Sequence, residues 1–309
     1  MRAFITGYKG FVAGHLTTHL LTQGDEVDGT DREDGPDLLD RDGWFDVLAD
    51  RSPEVVYHLA AQAAVGNSWD NPLPTIRANI EGTHNVLEAA RHAGVERMVV
   101  ISSSDVYGRV EPGDLPLTED RPPRPVSPYA ASKAAAEMLA LQAWHGFQLP
   151  TVLVRPFNHI GPGQSGDFVA SALALRIAAA EAAGEYTITV GDLSARRDFT
   201  DVRDVVRAYR LLAQHGTPGG TYHVCSEIDR SIQELVDTLI GQALVPVELV
   251  PDKSLLRPAE VPVLRGSAAR LRADTSWEPM IDFQTSIKDI LREARERVGA
   301  GNPARSDTP

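Results

Sequence analysis

A tyrosine and a lysine stand four residues apart in the run Ser127-Pro128-Tyr129-Ala-Ala-Ser-Lys133. Proline suits the first position of a helix, and the alanine-rich stretch that follows favours one. Residues i and i+4 of a helix share a face, so phenol and ammonium are expected side by side. An ammonium beside a phenol favours the phenolate, which would let Tyr129 exchange a proton near neutral pH. An inert surface pair has the same spacing, so the neighbouring sequence has to decide. The chain opens with Ile5-Thr6-Gly7-Tyr-Lys-Gly10, and Ile101-Ser102-Ser103-Ser104-Asp105 precedes the tyrosine. A hydroxyl cluster, a phenol and a lysine behind a glycine-rich start make a proton-transfer set.

The elements that must hold this set follow from hydrophobic patterning. Ala3-Phe-Ile-Thr6, Val55-Val-Tyr-His-Leu-Ala60, Met98-Val-Val-Ile-Ser102 and Val152-Leu-Val-Arg155 read as buried strands. Stretches 11–21 and 82–92 have helical spacing. Such alternation predicts an α/β fold: a Rossmann-type, doubly wound parallel sheet with helices on both faces. Glu26-Val-Asp-Gly-Thr30 is a weaker strand, and the short polar stretch before Asp37-Leu-Leu-Asp40 leaves the usual next helix-strand unit trimmed. Beyond Pro156 the pattern is broken by Gly161-Pro-Gly163, Pro218-Gly-Gly220 and Pro258, with a strand at Thr221-Tyr-His-Val-Cys225 and a helix capped by Ser231. The expected organisation is a dinucleotide-binding domain over 1–157 and about 198–225, and a smaller mixed α/β substrate lobe over 158–197 and 226–298. The tail 299–309 has linker composition and is expected to be disordered.

Gly7-Tyr-Lys-Gly10-Phe11-Val12-Ala13 joins the first strand to the first helix. Backbone amides at such a turn can hold a pyrophosphate. Ala13 stands where a third glycine is common; a methyl still allows close packing. Asp31, at the end of the second strand, can bind the hydroxyls of an adenosine ribose and repel a 2′-phosphate, which points to NAD. Arg32 beside it could receive such a phosphate, so NADP is possible.

Composition narrows the classes further. The chain has 309 residues, 42% hydrophobic and 24% charged, with a net charge of −13 and no basic run, which argues against a nucleic-acid partner. Cys225 is the only cysteine, so no disulfide framework exists. No apolar run spans a bilayer and no signal peptide precedes the first strand, so no membrane partner and a cytoplasmic location are expected. His15 and His19 have the i,i+4 spacing of metal ligands but no supporting motif, and no metal is expected.

These motifs resemble those of the extended short-chain dehydrogenases/reductases that act on nucleotide sugars. The matching segments include His58-Leu59-Ala60-Ala61, Asn79-Ile-Glu-Gly-Thr83, Ser102-Ser-Ser-Asp-Val-Tyr-Gly108, Arg155-Pro156-Phe-Asn158 and Arg197-Asp-Phe-Thr-Asp201. More narrowly, 155–164, 197–204 and Arg257-Pro-Ala-Glu-Val-Pro262 resemble the GDP-4-keto-6-deoxymannose reductases. The resemblance implies that Ser103, Tyr129, Lys133 and Asp105 are catalytic. It implies a cofactor site of Gly7, Gly10, Phe11, Val12, Asp31, Arg32, Asp37, Leu38, Leu59, Ala60, Ala61, Asn79, Ser102 and Pro156, together with Tyr129 and Lys133. It implies a substrate site of Ser103, Ser104, Asn158, Arg197, Arg257 and Glu260. It also implies a homodimer through a four-helix bundle, to which the alanine-rich faces of 82–94 and 130–144 would contribute.

Activity within the family turns on Ser104-Asp105. In its 4,6-dehydratases a glutamate at the second position is the base at C5, preceded in one branch by an acidic aspartate. Asp105 is one methylene shorter and Ser104 is a poor general acid, which disfavours dehydration. The expected activity is 4-reduction of a GDP-4-keto-6-deoxy-hexose. The rivals are an NAD-retaining 4-epimerase or 4,6-dehydratase, favoured by Asp31, and a non-catalytic dinucleotide sensor.

Overall fold

A computed structural model describes residues 1–252 and 261–300. The strands are β1 (Arg2–Thr6), β2 (Glu26–Thr30), β3 (Val55–His58), β4 (Arg97–Ile101), β5 (Thr151–Pro156), β6 (Asn158–Ile160), β7 (Thr187–Val190), β8 (Arg196–Asp201), β9 (Thr221–Val224), β10 (Asp229–Ser231), β11 (Glu248–Pro251) and β12 (Val263–Leu264). The α-helices are α1 (Phe11–Thr22), α2 (Arg41–Arg51), α3 (Val65–Asp70), α4 (Pro72–Ile76), α5 (Gly82–His92), α6 (Pro128–Phe147), α7 (Val169–Ala183), α8 (Val202–His215), α9 (Ile232–Ile240), α10 (Ala269–Thr275) and α11 (Phe283–Ala300).

Side chains alternate across a strand, and here both faces are apolar. Ala3 and Ile5 of β1, Val55 and Tyr57 of β3, and Val152 and Val154 of β5 point to one core, which α1, α8 and Trp277 complete. Phe4, Val56, Val100 and Leu153 point to the other, covered by Trp44 and Leu48 of α2, Val86 and Leu87 of α5, and Ala140 and Ala143 of α6. A sheet buried on both faces is the parallel, doubly wound kind. Its order is β2-β1-β3-β4-β5-β9, parallel at every step. The sheet ends at β2, as the trimmed unit after Thr30 predicts.

A second core forms from α7, α9 and α11 with Ile188, Val190, Phe199 and Ile160. Its strands are short and mixed: β8 pairs antiparallel with β10 and parallel with β6 and β12. Ser231 and Glu234 cap α9 reciprocally, the arrangement that satisfies two otherwise unpaired helix amides. Leu264, Ala268, Leu271 and Trp277 return to the first core, although their stretch reads from sequence as part of the second lobe. Gly299 and Ala300 end α11; the rest of the expected tail, 301–309, lies outside the described residues, as do Arg257 and Glu260. Among the described residues no helix is long and apolar enough to cross a membrane.

Candidate active site

Most of the residues singled out above gather at the carboxyl ends of the parallel strands, where open α/β sheets bind ligands. After β1 the chain turns at Gly7, whose φ of 72° is one that L side chains rarely adopt. A Cβ there would stand 3.0 Å from the backbone of Ala60. Gly7 and Tyr8 donate to the Thr30 carbonyl at 3.0 and 3.1 Å, which binds the turn to the end of β2. Gly10 caps α1 without a side-chain acceptor, leaving the first-turn amides of Phe11 and Val12 free of a capping side chain. The Asp31 carboxylate accepts from Lys9 N at 3.2 Å and Arg32 N at 2.7 Å. The Lys9 ammonium is engaged by Glu33 and Asp34, while Arg32 is exposed.

A chain of hydrogen bonds fixes Ala60 against this turn. The Thr6 hydroxyl accepts from Ala60 N at 3.1 Å, so its single hydrogen goes to His58 Nδ1 at 2.9 Å. His58 Nε2–H then donates to Thr83 Oγ1 at 3.0 Å, and Thr83 donates to the Asn79 carbonyl at 2.7 Å. The scheme needs a neutral ring, and burial, helped by the Lys133 charge, holds the His58 pKa down to about 3. Asn79 lies in a π-helical turn over Arg77–Glu81. Its amide accepts from Gln62 N at 2.8 Å and donates to Ser132 Oγ at 2.8 Å, while Ser132 donates to the Tyr129 carbonyl at 2.7 Å. Asn79 therefore joins the loop after Ala61 to the first turn of α6. Leu38 sits over Gly82 and offers its carbonyl to Asn85, and the Asp37 carboxylate accepts from Leu39 N.

Tyr129 and Lys133 lie on the first turns of α6, which Ser127 caps by accepting from Ala130 N at 3.1 Å. Both side chains are buried. Ser103 follows β4 in extended backbone and accepts from Asp105 N at 3.1 Å; its hydroxyl lies beside the Tyr129 phenol and favours ionisation. Burial and the Asp105 charge prevail, however, and push the phenol pKa above its ordinary value. The phenolate-favouring environment expected from the spacing is thus opposed by the fold: the phenol holds its proton. Lys133 is lowered to about 8 by burial, against the pull of Glu137. Asp105 is raised by burial, against the attraction of Arg197. Arg197 on β8 is therefore near enough for its charge to act on Asp105, while Asn158 sits half-buried at the start of β6.

The residues present fit a dinucleotide. The Gly7 cradle is one that a Cβ would fill, the helix amides lack a side-chain cap, and the Ser102 hydroxyl and Gln62 Oε1 are buried beside the site without a partner among the described residues. The metal-ligand spacing of His15 and His19 has another use: His15 Nε2 bonds the Pro162 carbonyl at 2.9 Å and its ring meets Phe11 edge-on. Motif reading missed the buried Glu137–Arg155 pair, although Glu137 stands at the next i+4 position after Lys133.

Over residues 34–290 the chain matches the family model described as GDP-mannose 4,6 dehydratase. It is 40% identical over 300 residues to GDP-6-deoxy-D-mannose reductase of Pseudomonas aeruginosa, covering 96% of this chain and 98% of the relative. The solved structure of RMD from Pseudomonas aeruginosa complexed with NADPH matches with a TM-score of 0.89 at 39% identity, covering 96% of this chain and 99% of that one. UDP-glucose 4-epimerase from Thermus thermophilus, solved with NAD, matches at 0.84 and 30% identity, covering 96% and 99%. A likeness of this extent, in a chain that brings a hydroxyl, a phenol and an ammonium to one edge of a parallel sheet, makes the protein a member of the extended short-chain dehydrogenase/reductase family, among its NAD(P)-dependent nucleotide-sugar enzymes.

Proposed function

We propose that the protein reduces the C4 ketone of a GDP-linked 4-keto-6-deoxy-hexose. The observation that carries this is the buried, proton-holding Tyr129 phenol beside the Ser103 hydroxyl, with Lys133 one turn on. A nicotinamide cofactor, when bound, supplies the hydride to C4. Ser103 and Tyr129 donate hydrogen bonds to the ketone oxygen, and Tyr129 gives up its proton as that oxygen gains charge. Lys133 steadies the resulting phenolate and holds a ribose hydroxyl. Asp105 and Ser104 contact the sugar, Asn158 and Arg197 receive the nucleotide part, and Arg257 and Glu260 complete that site. The 40% identity to a GDP-6-deoxy-D-mannose reductase supports GDP and reduction over the alternatives.

The cofactor reading is NAD(H), from Asp31, with Arg32 free to receive the 2′-phosphate of NADP(H). Asp31 also favours a second reading, an epimerase that keeps NAD+ bound. The nucleotide carried through purification separates the two. Retained NAD+ with no net oxidation of NADPH or NADH would refute the reductase; turnover of GDP-4-keto-6-deoxymannose to the 6-deoxyhexose with stoichiometric loss of absorbance at 340 nm is the expected result.

We also propose a cytoplasmic homodimer. Leu73 and Met138 are 65% and 52% exposed, and a groove between the α4–α5 segment and α6 is lined by Ile76, Ile80 and Leu139 together with Arg77, Glu81 and His84. A second copy of these helices would form the four-helix bundle and cover the patch.

A further inference from the structure

Glu137 follows Lys133 by one turn of α6 and its side chain is fully buried. A buried carboxylate is costly unless it is paired and hydrogen-bonded. Arg155 of β5 pairs with it bidentately, Nε to Oε1 at 2.8 Å and Nη2 to Oε2 at 2.7 Å. Arg155 is held in turn: Nη1 donates to the Tyr107 hydroxyl at 2.6 Å and to the Glu119 carbonyl at 3.2 Å. Tyr107 passes its own hydrogen to His223 Nε2, and His223 Nδ1–H donates to the Ser267 carbonyl. Burial, with Arg155 nearby, holds the His223 pKa down to about 3, so the ring is neutral and accepts the Tyr107 hydrogen. This network starts one helical turn after Lys133 and its carboxylate acts on the Lys133 charge, yet no step of the reaction above uses it.

We propose that the Glu137–Arg155 pair is a positioning unit for Lys133, in which Glu137 keeps the ammonium charged at the reacting groups and Arg155 limits the strength of that attraction. The inference rests on the reading of Lys133 given above. The other groups around Lys133 do not duplicate the role. On its own helix Tyr129 is a phenol that holds its proton. From β3 His58 is neutral, with both ring nitrogens committed. From the turn after β4 Asp105 acts on Tyr129 and is drawn by Arg197. The ion pairs on the outer helices, Arg77–Glu81 and His84–Glu88, are exposed or half-exposed and screened by solvent.

Removing either partner alone leaves the opposite charge behind. Glu137→Gln leaves two buried cations, Arg155 and Lys133, so Lys133 should lose its proton at lower pH. Arg155→Met leaves Glu137 facing Lys133 alone, so Lys133 should keep its proton to higher pH. The test is the alkaline limb of kcat/KM between pH 6 and 10, with GDP-4-keto-6-deoxymannose and NADPH as probes. It should move down in Glu137→Gln and up in Arg155→Met, each by on the order of one pH unit, with the double variant between them. Arg155→Lys, which keeps the charge, should restore the limb. Melting temperature and near-ultraviolet circular dichroism check that each variant folds; if Arg155→Met does not, the downward shift in Glu137→Gln against Arg155→Lys carries the test. Limbs that stay put, or shift the same way in both single variants, would overturn the inference. Near-wild-type turnover in Lys133→Met would overturn the reading of the site itself.

Discussion

Thr6→Val tests how the cofactor turn is supported. Valine keeps the shape of threonine but neither donates nor accepts a hydrogen bond. It removes the acceptor for Ala60 N–H, 3.1 Å away, and the donor to His58 Nδ1, 2.9 Å away. His58 is buried and Ala60 half-buried, so the orphaned ring nitrogen bears most of the penalty. An unsatisfied buried group costs about 1–3 kcal/mol, and the hydrogen bond lost by the half-exposed amide adds about 1 kcal/mol. The expected loss is therefore about 2–4 kcal/mol. At this chain length 1 kcal/mol lowers Tm by about 2 °C, so a fall of about 4–8 °C is expected by scanning calorimetry. Because His58 is held neutral, with a pKa of about 3, the deficit should not vary between pH 7 and 9. Ala60 abuts Gly7, so NADPH affinity, measured by fluorescence titration, should weaken as well. Thr6→Ser keeps the hydroxyl and should recover most of both losses. A Thr6→Val protein with unchanged Tm and unchanged cofactor affinity would refute the hydrogen-bonded chain and its link to the turn.

Tyr129→Phe should lower kcat by about 10²–10⁴-fold, the range for a positioned acid, while NADPH affinity stays within about twofold; near-wild-type turnover would exclude the phenol as proton donor. Asp31→Ala should weaken NADH by about tenfold or more, as expected for lost hydrogen bonds to a charged group, and leave NADPH unchanged or tighter; an unaltered preference in paired titrations would remove Asp31 from the ribose. Arg197→Ala should cost about 1.5–3 kcal/mol of nucleotide binding, seen as a higher KM and a parallel loss of competitive inhibition by GDP. Leu73→Glu with Met138→Glu should yield a monomer by light scattering; a dimer that persists would place the interface elsewhere.

Local spacing carried most of the candidate site. The i+4 step from Tyr129 to Lys133, the turn from Gly7 to Gly10, and Asp31 at the end of β2 are features of a few consecutive residues, whose backbone geometry depends mainly on the residues themselves. The doubly apolar strands likewise announced a parallel sheet. The long helix α7 was not legible as an element, because it is apolar on nearly every side and its periodicity is faint.

What only the tertiary structure decided are properties that depend on distant partners or on burial. Arg155 meets Glu137 across 18 residues, and Arg197 acts on Asp105 from another sheet. Residues near 264–277 pack on the first core rather than the second, because contacts, not chain order, assign a segment to a core. The proton on Tyr129 shows the difference most plainly. From sequence, the neighbouring ammonium argues for a phenolate. In the fold, burial and the Asp105 charge outweigh the help of Ser103, because withdrawing a group from water penalises its charged form by an amount that no spacing reveals.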